Sequence, residues 1–181
     1  MRYMATRTGM PRNVEIKARV DDPATLYARA QALADTGPIE LSQDDTFFNC
    51  PSGRLKLRTL SESEGELIFY ERANAHAPKE SHYVVWTTSS PSALRATLTA
   101  TLGERGRVRK KRTLFLIGNT RIHCDEVEGL GHFMELEVVL ADGQTVDDGI
   151  AIAHRIMAQL DVSERQLVDR AYVDLLADAR G

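Results

Sequence analysis

The stretch Arg107-Val108-Arg109-Lys110-Lys111-Arg112-Thr113-Leu114-Phe115-Leu116-Ile117-Gly118-Asn119-Thr120-Arg121-Ile122-His123-Cys124-Asp125-Glu126-Val127 reads as two β-strands around a tight turn. Successive side chains of a strand point to opposite faces, so alternation on both sides of a turn signal marks a hairpin. Gly118-Asn119 tolerates positive φ and suits a two-residue loop. With that loop Ile117 pairs with Thr120, Leu116 faces Arg121, Leu114 faces His123, and Arg112 faces Asp125. Lys110 stands one step further along the face of Arg112. Arg109 and Lys111 fall on the other face. The run Arg107–Arg112, which has the composition of a nucleic-acid patch, is therefore divided between two faces.

The same period recurs on either side of this hairpin. Asn13–Val20 sets Val14, Ile16, Ala18 and Val20 against Asn13, Glu15, Lys17 and Arg19. Arg54–Leu60 sets Leu55 and Leu57 against Arg54, Lys56 and Arg58. Further strands are predicted at Asp45–Cys50, Glu66–Arg72, Ser81–Thr87 and Phe133–Leu140, about eight in all. Pro51-Ser52-Gly53 can close another hairpin. Asp22-Pro23, Ser90-Pro91 and Thr145 open three helices, with apolar residues such as Leu26 and Ala30, Leu94 and Leu98, or Ile152 and Ile156 at helical spacing. A last short element is expected within Gln166–Leu176. Consecutive strands joined by short turns are antiparallel. The expected fold is α+β: a closed eight-stranded antiparallel β-barrel with a polar lumen and helices packed outside.

The chain has 181 residues, enough for one domain that buries most of its apolar surface. Residues 1–10 are expected to be a disordered tail and 11–178 a single domain. Twenty-three basic and 26 acidic residues leave a net charge of −3, which excludes a nucleic-acid binder driven by bulk positive charge. Cys50 and Cys124 cannot build a disulfide scaffold or a cysteine zinc cluster. No apolar run approaches the ~20 residues of a membrane helix, and Met1–Arg12 lacks the apolar core of a signal peptide. A cytoplasmic protein is expected, with no membrane and no nucleic-acid partner. Trp86, which alternates with Val84, reads as packing. His76, His132 and His154 have no ligand spacing, whereas His123 falls on the expected lumen face.

The charges opposite the apolar faces are sorted by sign. Arg54, Lys56 and Arg58 share one strand face, Lys110 and Arg112 another, Glu135 and Glu137 a third. Like charges on one face repel, so a merely solvated sheet gains by mixing signs. Sorting suits a lumen that takes a polyanion on one wall and a metal cation on the other.

In order along the chain, these segments resemble the CYTH superfamily, the triphosphate tunnel metalloenzymes that include CyaB-type class IV adenylyl cyclases and thiamine triphosphatases. Asn13-Val14-Glu15-Ile16-Lys17 is similar to the Glu-x-Glu-x-Lys signature. Lys56-Leu57-Arg58, Arg72, and Val108-Arg109-Lys110-Lys111-Arg112 resemble the family's basic strands. Asp125 with Gly129-Leu130-Gly131-His132-Phe133-Met134-Glu135-Leu136-Glu137 resembles its Asp…Leu-Gly-x-Phe-x-Glu-x-Glu block. Tyr172-Val173-Asp174-Leu175-Leu176 resembles the ending of the cyclase-like branch. Two positions depart from the pattern: Asn13 stands where the signature has its first Glu, and Arg72 where the family usually has Lys.

The resemblance implies a closed tunnel and metal-dependent chemistry on a triphosphate compound: hydrolysis, or cyclase-like conversion of ATP to cyclic AMP. It implies Lys17, Lys56, Arg58, Arg72, Lys110 and Arg112 as triphosphate-binding residues. Lys17, Arg72 and Asp125 are implied as catalytic, and Glu15, Glu135 and Glu137 as ligands of Mg²⁺ or Mn²⁺, hard ions that take oxygen ligands. ATP, tripolyphosphate and thiamine triphosphate are the expected substrates, and a homodimer is compatible with the pattern. The alternative is a non-catalytic binding module for polyphosphate, nucleotide or another phosphorylated anion, since Asn13 offers an oxygen but no charge.

Overall fold

The computed structural model describes residues 12–72 and 79–179, without the side chains of 72 and 79–82. The expected tail, residues 1–10, lies outside the described residues. In chain order the elements are β1 (Arg12–Arg19), α1 (Pro23–Leu33), β2 (Thr36–Phe48), β3 (Arg54–Ser61), β4 (Glu64–Arg72), β5 (Lys79–Thr88), α2 (Pro91–Leu102), β6 (Glu104–Ile117), β7 (Thr120–Val127), β8 (Gly131–Val139), α3 (Val146–Leu160) and α4 (Tyr172–Asp178), with a 3₁₀ turn at Glu164–Gln166.

The eight strands form one antiparallel sheet in the order β1-β5-β4-β3-β2-β6-β7-β8, curled around a polar interior. β1 pairs with β8 from Asn13↔Val139 to Arg19↔Phe133, and with β5 from Arg12↔His82 to Glu15↔Lys79. The β6–β7 register is the one the two-residue loop dictates, with Ile117↔Thr120, Leu114↔His123 and Arg112↔Asp125. Gly118 supplies a φ of 52° at that turn, a region where a side chain would be strained.

The outward faces of β1, β7 and β8 and the end of β6 are apolar and carry the main core. Val14, Ile16, Phe115, Ile122, Met134, Leu136 and Val138 pack there with Leu26 and Ala30 of α1 and with Ala153, Ile156, Met157 and Leu160 of α3. α1 starts where predicted: the Asp22 carboxylate accepts from the Thr25 amide at 3.1 Å, and Pro23 follows. α3 opens with a reciprocal Thr145–Asp148 capping box. Gly149 lets α3 lie tight on the sheet, since a Cβ there would meet Val14 and Leu140 at 2.7 Å.

Four expectations change. β2 begins at Thr36, nine residues before the predicted Asp45. Pro38, which has no N–H, and a register irregularity between Thr36 and Ile39 conceal the period there. α2 is a poor cover: Leu94 and Leu98 are half-buried, and Leu102 is exposed. Trp86 is 73% exposed on the outer face of β5, so it is not a packing residue of the core. The last helix starts at Tyr172. The segment before it is extended, with Val168 N–H donating to the Lys17 carbonyl at 2.9 Å. α4 thereby packs against the end of the lumen, in a second cluster of Tyr172, Val173 and Leu176 with Phe47, Val108, Val127 and Phe133.

Candidate functional site

The inward faces of the strands surround a cavity of about 240 Å³. Lys17, Lys56, Arg58, Lys110 and Arg112 line it together with Glu15, Glu135 and Glu137. Strand parity brings them there: Lys110 and Arg112 are buried, while their neighbours Arg109 and Lys111 are exposed. Asp125 lies behind this lining. Arg72 sits on β4 with its backbone opposite Ser81, and its side chain is outside the described residues.

Arg112 is the hub. Its Nε and Nη2 donate to the two Asp125 oxygens at 2.6 Å each, and Nη2 also contacts Glu135. Lys110 Nζ reaches Asp125 at 3.0 Å and Glu135 at 3.8 Å. The Tyr172 hydroxyl donates to Asp125 at 3.0 Å. Asp125 is thus saturated by a guanidinium fork, an ammonium and a phenol, and it fixes the basic strand in place rather than facing the cavity. Burial pushes its carboxyl up, but Arg112 and Lys110 outweigh this and hold it below the usual range.

Lys17 bridges the two walls. Its Nζ lies 3.2 Å from Glu135, donates to the Arg170 carbonyl at 3.1 Å, and sits 3.9 Å from the centre of the Tyr172 ring. Burial raises the Glu135 carboxyl, yet Lys110, Lys17 and Arg112 leave it well below its ordinary value.

Asp45 went unnoticed in the sequence. It stands opposite Arg58 in the β2–β3 register and is 3% exposed. Lys56 donates to it at 2.8 Å, and Arg58 at 2.8 and 2.9 Å. The two clamp cations of β3 therefore share one internal counter-ion. Burial raises the Asp45 carboxyl, but Lys56 and Arg58 win and hold it far below the carboxylate range. Burial also draws the Lys56 ammonium down to about 8 despite Asp45. Glu66, Arg121 and Tyr172 are further lining residues without an assigned role in the sequence. Only a register argument across β2, β3 and β4 could have located Asp45 and Glu66.

The charges on the lining balance closely. Among the described residues six cations (Lys17, Lys56, Arg58, Lys110, Arg112, Arg121) face five carboxylates (Glu15, Asp45, Glu66, Glu135, Glu137), and Asp125 behind them makes six. The sorting by sign is real, but each cationic group also has an acidic partner.

The acidic wall fits a divalent cation. Asn13 Oδ1 and His123 Nδ1 are buried polar atoms without a hydrogen-bond partner, and the Asn13 amide donates to Glu15 at 3.2 Å. His123, Glu135 and Glu137 place one ligand atom each within 4.8 Å of one another. Glu137 is held at 3.2 Å by Arg121. Burial, then Arg112, draws the His123 imidazole down to about 4 against the pull of Glu137. Cys124, on the outer face, has its thiol raised to about 12 by burial, which makes it a poor nucleophile.

The model of the CYTH domain matches residues 11–172. The chain is 25% identical over 174 residues to the adenylate cyclase CyaB of Aeromonas hydrophila, covering 88% of this chain and 85% of that protein. Among solved structures it resembles the PH1012 protein of Pyrococcus horikoshii OT3, with a TM-score of 0.79, 21% identity, and coverage of 90% of this chain and 98% of the other. It also resembles HpAC1 of Hippeastrum, a protein with a dominant triphosphatase activity, at a TM-score of 0.64 and 12% identity over 93% and 96% of the two chains. No helix among the described residues is long and apolar enough to cross a membrane.

Proposed function

The chain belongs to the CYTH domain family, and on that premise we propose that it processes a triphosphate-containing small molecule with Mg²⁺ or Mn²⁺ inside a closed tunnel. One observation carries this reading: a single cavity opposes the cations of β3 and β6 to the carboxylates of β1 and β8. A triphosphate brings about four negative charges into a lining whose described charges nearly balance. A divalent cation on Glu15, Glu135 and Glu137 would offset part of that charge on the phosphate oxygens.

Phosphoryl transfer depends mainly on positioning and charge stabilisation. Lys56, Arg58, Arg72, Lys110 and Arg112 would hold the phosphate chain. Asp125 keeps the Arg112 fork aimed, and Lys17 is placed between the two walls, where charge develops. Hydrolysis and conversion of ATP to cyclic AMP need this same clamp and differ in which phosphorus is attacked. The similarity to an adenylate cyclase of Aeromonas and to a triphosphatase of Hippeastrum supports both chemistries. The binding-module reading rests on Asn13, which adds no charge to the acidic wall.

The deciding experiment incubates the purified protein with ATP, tripolyphosphate and thiamine triphosphate, each with Mg²⁺ or Mn²⁺. Release of phosphate, or of pyrophosphate with cyclic AMP, is the expected result. Tight binding without any product favours the binding module.

Two variants refine this. Asn13→Asp adds a carboxylate beside Glu15. It is expected to tighten divalent-cation binding several-fold in calorimetry and to raise turnover, while lowering the stability of the metal-free protein through repulsion. Unchanged metal affinity would show that Asn13 stands outside the cation's reach.

Lys56 sets a pH limit. With its ammonium at about 8, the free protein carries the charge below that value and loses it above. Tripolyphosphate affinity relative to that of Lys56→Arg should be flat below pH 7.5 and fall as pH rises through 8. The ratio cancels the ligand's own titration. A flat ratio up to pH 9.5 would remove Lys56 from the clamp.

A further inference from the structure

His123 lies on the inner face of β7, directly opposite Glu135 of β8. Its side chain is 6% exposed, and Nδ1 has no hydrogen-bond partner. That nitrogen lies 3.8 Å from Glu137 Oε1, beyond hydrogen-bonding distance. A buried polar nitrogen left unmade costs about 1–3 kcal/mol, so an orphan in a tightly paired lumen calls for a ligand. The ligand atoms of His123, Glu135 and Glu137 lie within 4.8 Å of one another, so that small side-chain adjustments would bring all three onto one ion.

We propose that His123 is a metal ligand, and that with Glu135 and Glu137 it forms a mixed nitrogen–oxygen site selecting Mn²⁺ over Mg²⁺. This rests on the reading that the lumen takes a divalent cation. Mg²⁺ prefers oxygen ligands and gives up water reluctantly; Mn²⁺ shares the preference for carboxylate and water but, as a first-row transition ion, accepts an imidazole more readily than Mg²⁺ does. One imidazole and two carboxylates leave the remaining positions of a six-coordinate ion for Glu15, which stands opposite Glu137, and for phosphate oxygens and water. The Arg121 side chain that holds Glu137 is 43% exposed, so it can swing out when the cation arrives. Arg112 and Lys17 compete for Glu135 in the absence of an anion, which keeps the affinity for metal alone modest.

The test uses the whole protein and the metals alone. Mn²⁺ binding is followed by loss of the free-ion electron paramagnetic resonance signal, and Mg²⁺ binding by calorimetry. The wild type is expected to bind Mn²⁺ at least tenfold more tightly than Mg²⁺. His123→Gln should lower Mn²⁺ affinity tenfold or more and Mg²⁺ affinity less than threefold. In the unmodified protein, substoichiometric Mn²⁺ should broaden the His123 imidazole resonance before those of His132 and His154. If the variant does not fold, nitrogen hyperfine coupling in the electron paramagnetic resonance of the Mn²⁺-loaded unmodified protein decides, because a coordinated imidazole gives it and an ion held by carboxylates beside His123 does not. Unchanged Mn²⁺ affinity, equal losses for both ions, no Mn²⁺ binding, or a sharp His123 resonance in the Mn²⁺-loaded protein overturns the proposal. Metal-free tripolyphosphate binding, measured in parallel, reports on the basic clamp separately.

Discussion

Arg112→Ala is expected to abolish measurable tripolyphosphate binding and to cost the folded protein about 3–5 kcal/mol, the usual result of leaving a buried charge without its partner. Two carboxylates lose at once: Asp125, which receives both arms of the fork, and Glu135, which receives the second nitrogen again. Asp125 retains Lys110 and the Tyr172 hydroxyl, so the hairpin keeps part of its cross-strand tie. Lys111→Ala, one residue away on the solvent face, should change neither quantity. Arg112→Lys restores charge without the planar fork and should recover stability better than affinity. Urea unfolding and calorimetry on the three variants test this. Equal losses from Arg112→Ala and Lys111→Ala would show that the face assignment has no energetic meaning.

The second large effect comes from Asp45→Asn. Asp45 neutralises Lys56 and Arg58 in the ligand-free protein, so it competes with any phosphate for the same two cations. The variant leaves these cations without a counter-ion, and its ligand-free stability should fall by about 3 kcal/mol. Its affinity for tripolyphosphate should rise about tenfold, or ~1.4 kcal/mol, because the anion no longer displaces a carboxylate. Saturating ligand should then return the melting temperature toward that of the wild type, since binding to the folded state alone stabilises it. A fall in affinity instead would mean that Asp45 aims Lys56 and Arg58 rather than competing for them.

Asp45 also shows what a linear reading misses. Lys56 and Arg58 advertise themselves by their spacing on a single strand. Their counter-ion stands eleven and thirteen residues earlier, at the end of a strand whose first half breaks the period at Gly37-Pro38. Arg112 and Asp125 are separated by a similar distance, yet they could be paired from the sequence. A two-residue turn fixes their register with no further information. The loop between β2 and β3 carries no such constraint.

By itself the sequence determined the features that local period and turn chemistry set. The eight strands, their antiparallel order, the hairpin at Gly118-Asn119, the caps of α1 and α3, and the inward parity of Glu15, Lys17, Lys110, Arg112, Glu135 and Glu137 are all properties of residues close together in the chain. Beyond the Arg112–Asp125 pair, only the folded structure decided which charges neutralise one another. Asp45 closing on β3 and His123 facing Glu135 depend on the β2–β3 and β7–β8 registers, which their loops leave open, and Lys17 lying against the Tyr172 ring joins two ends of the chain that only the curled sheet and α4 bring together. The physical reason is range: backbone geometry repeats every two residues along a strand, whereas electrostatic partnership depends on distance in space, which strand register and the packing of distant segments establish.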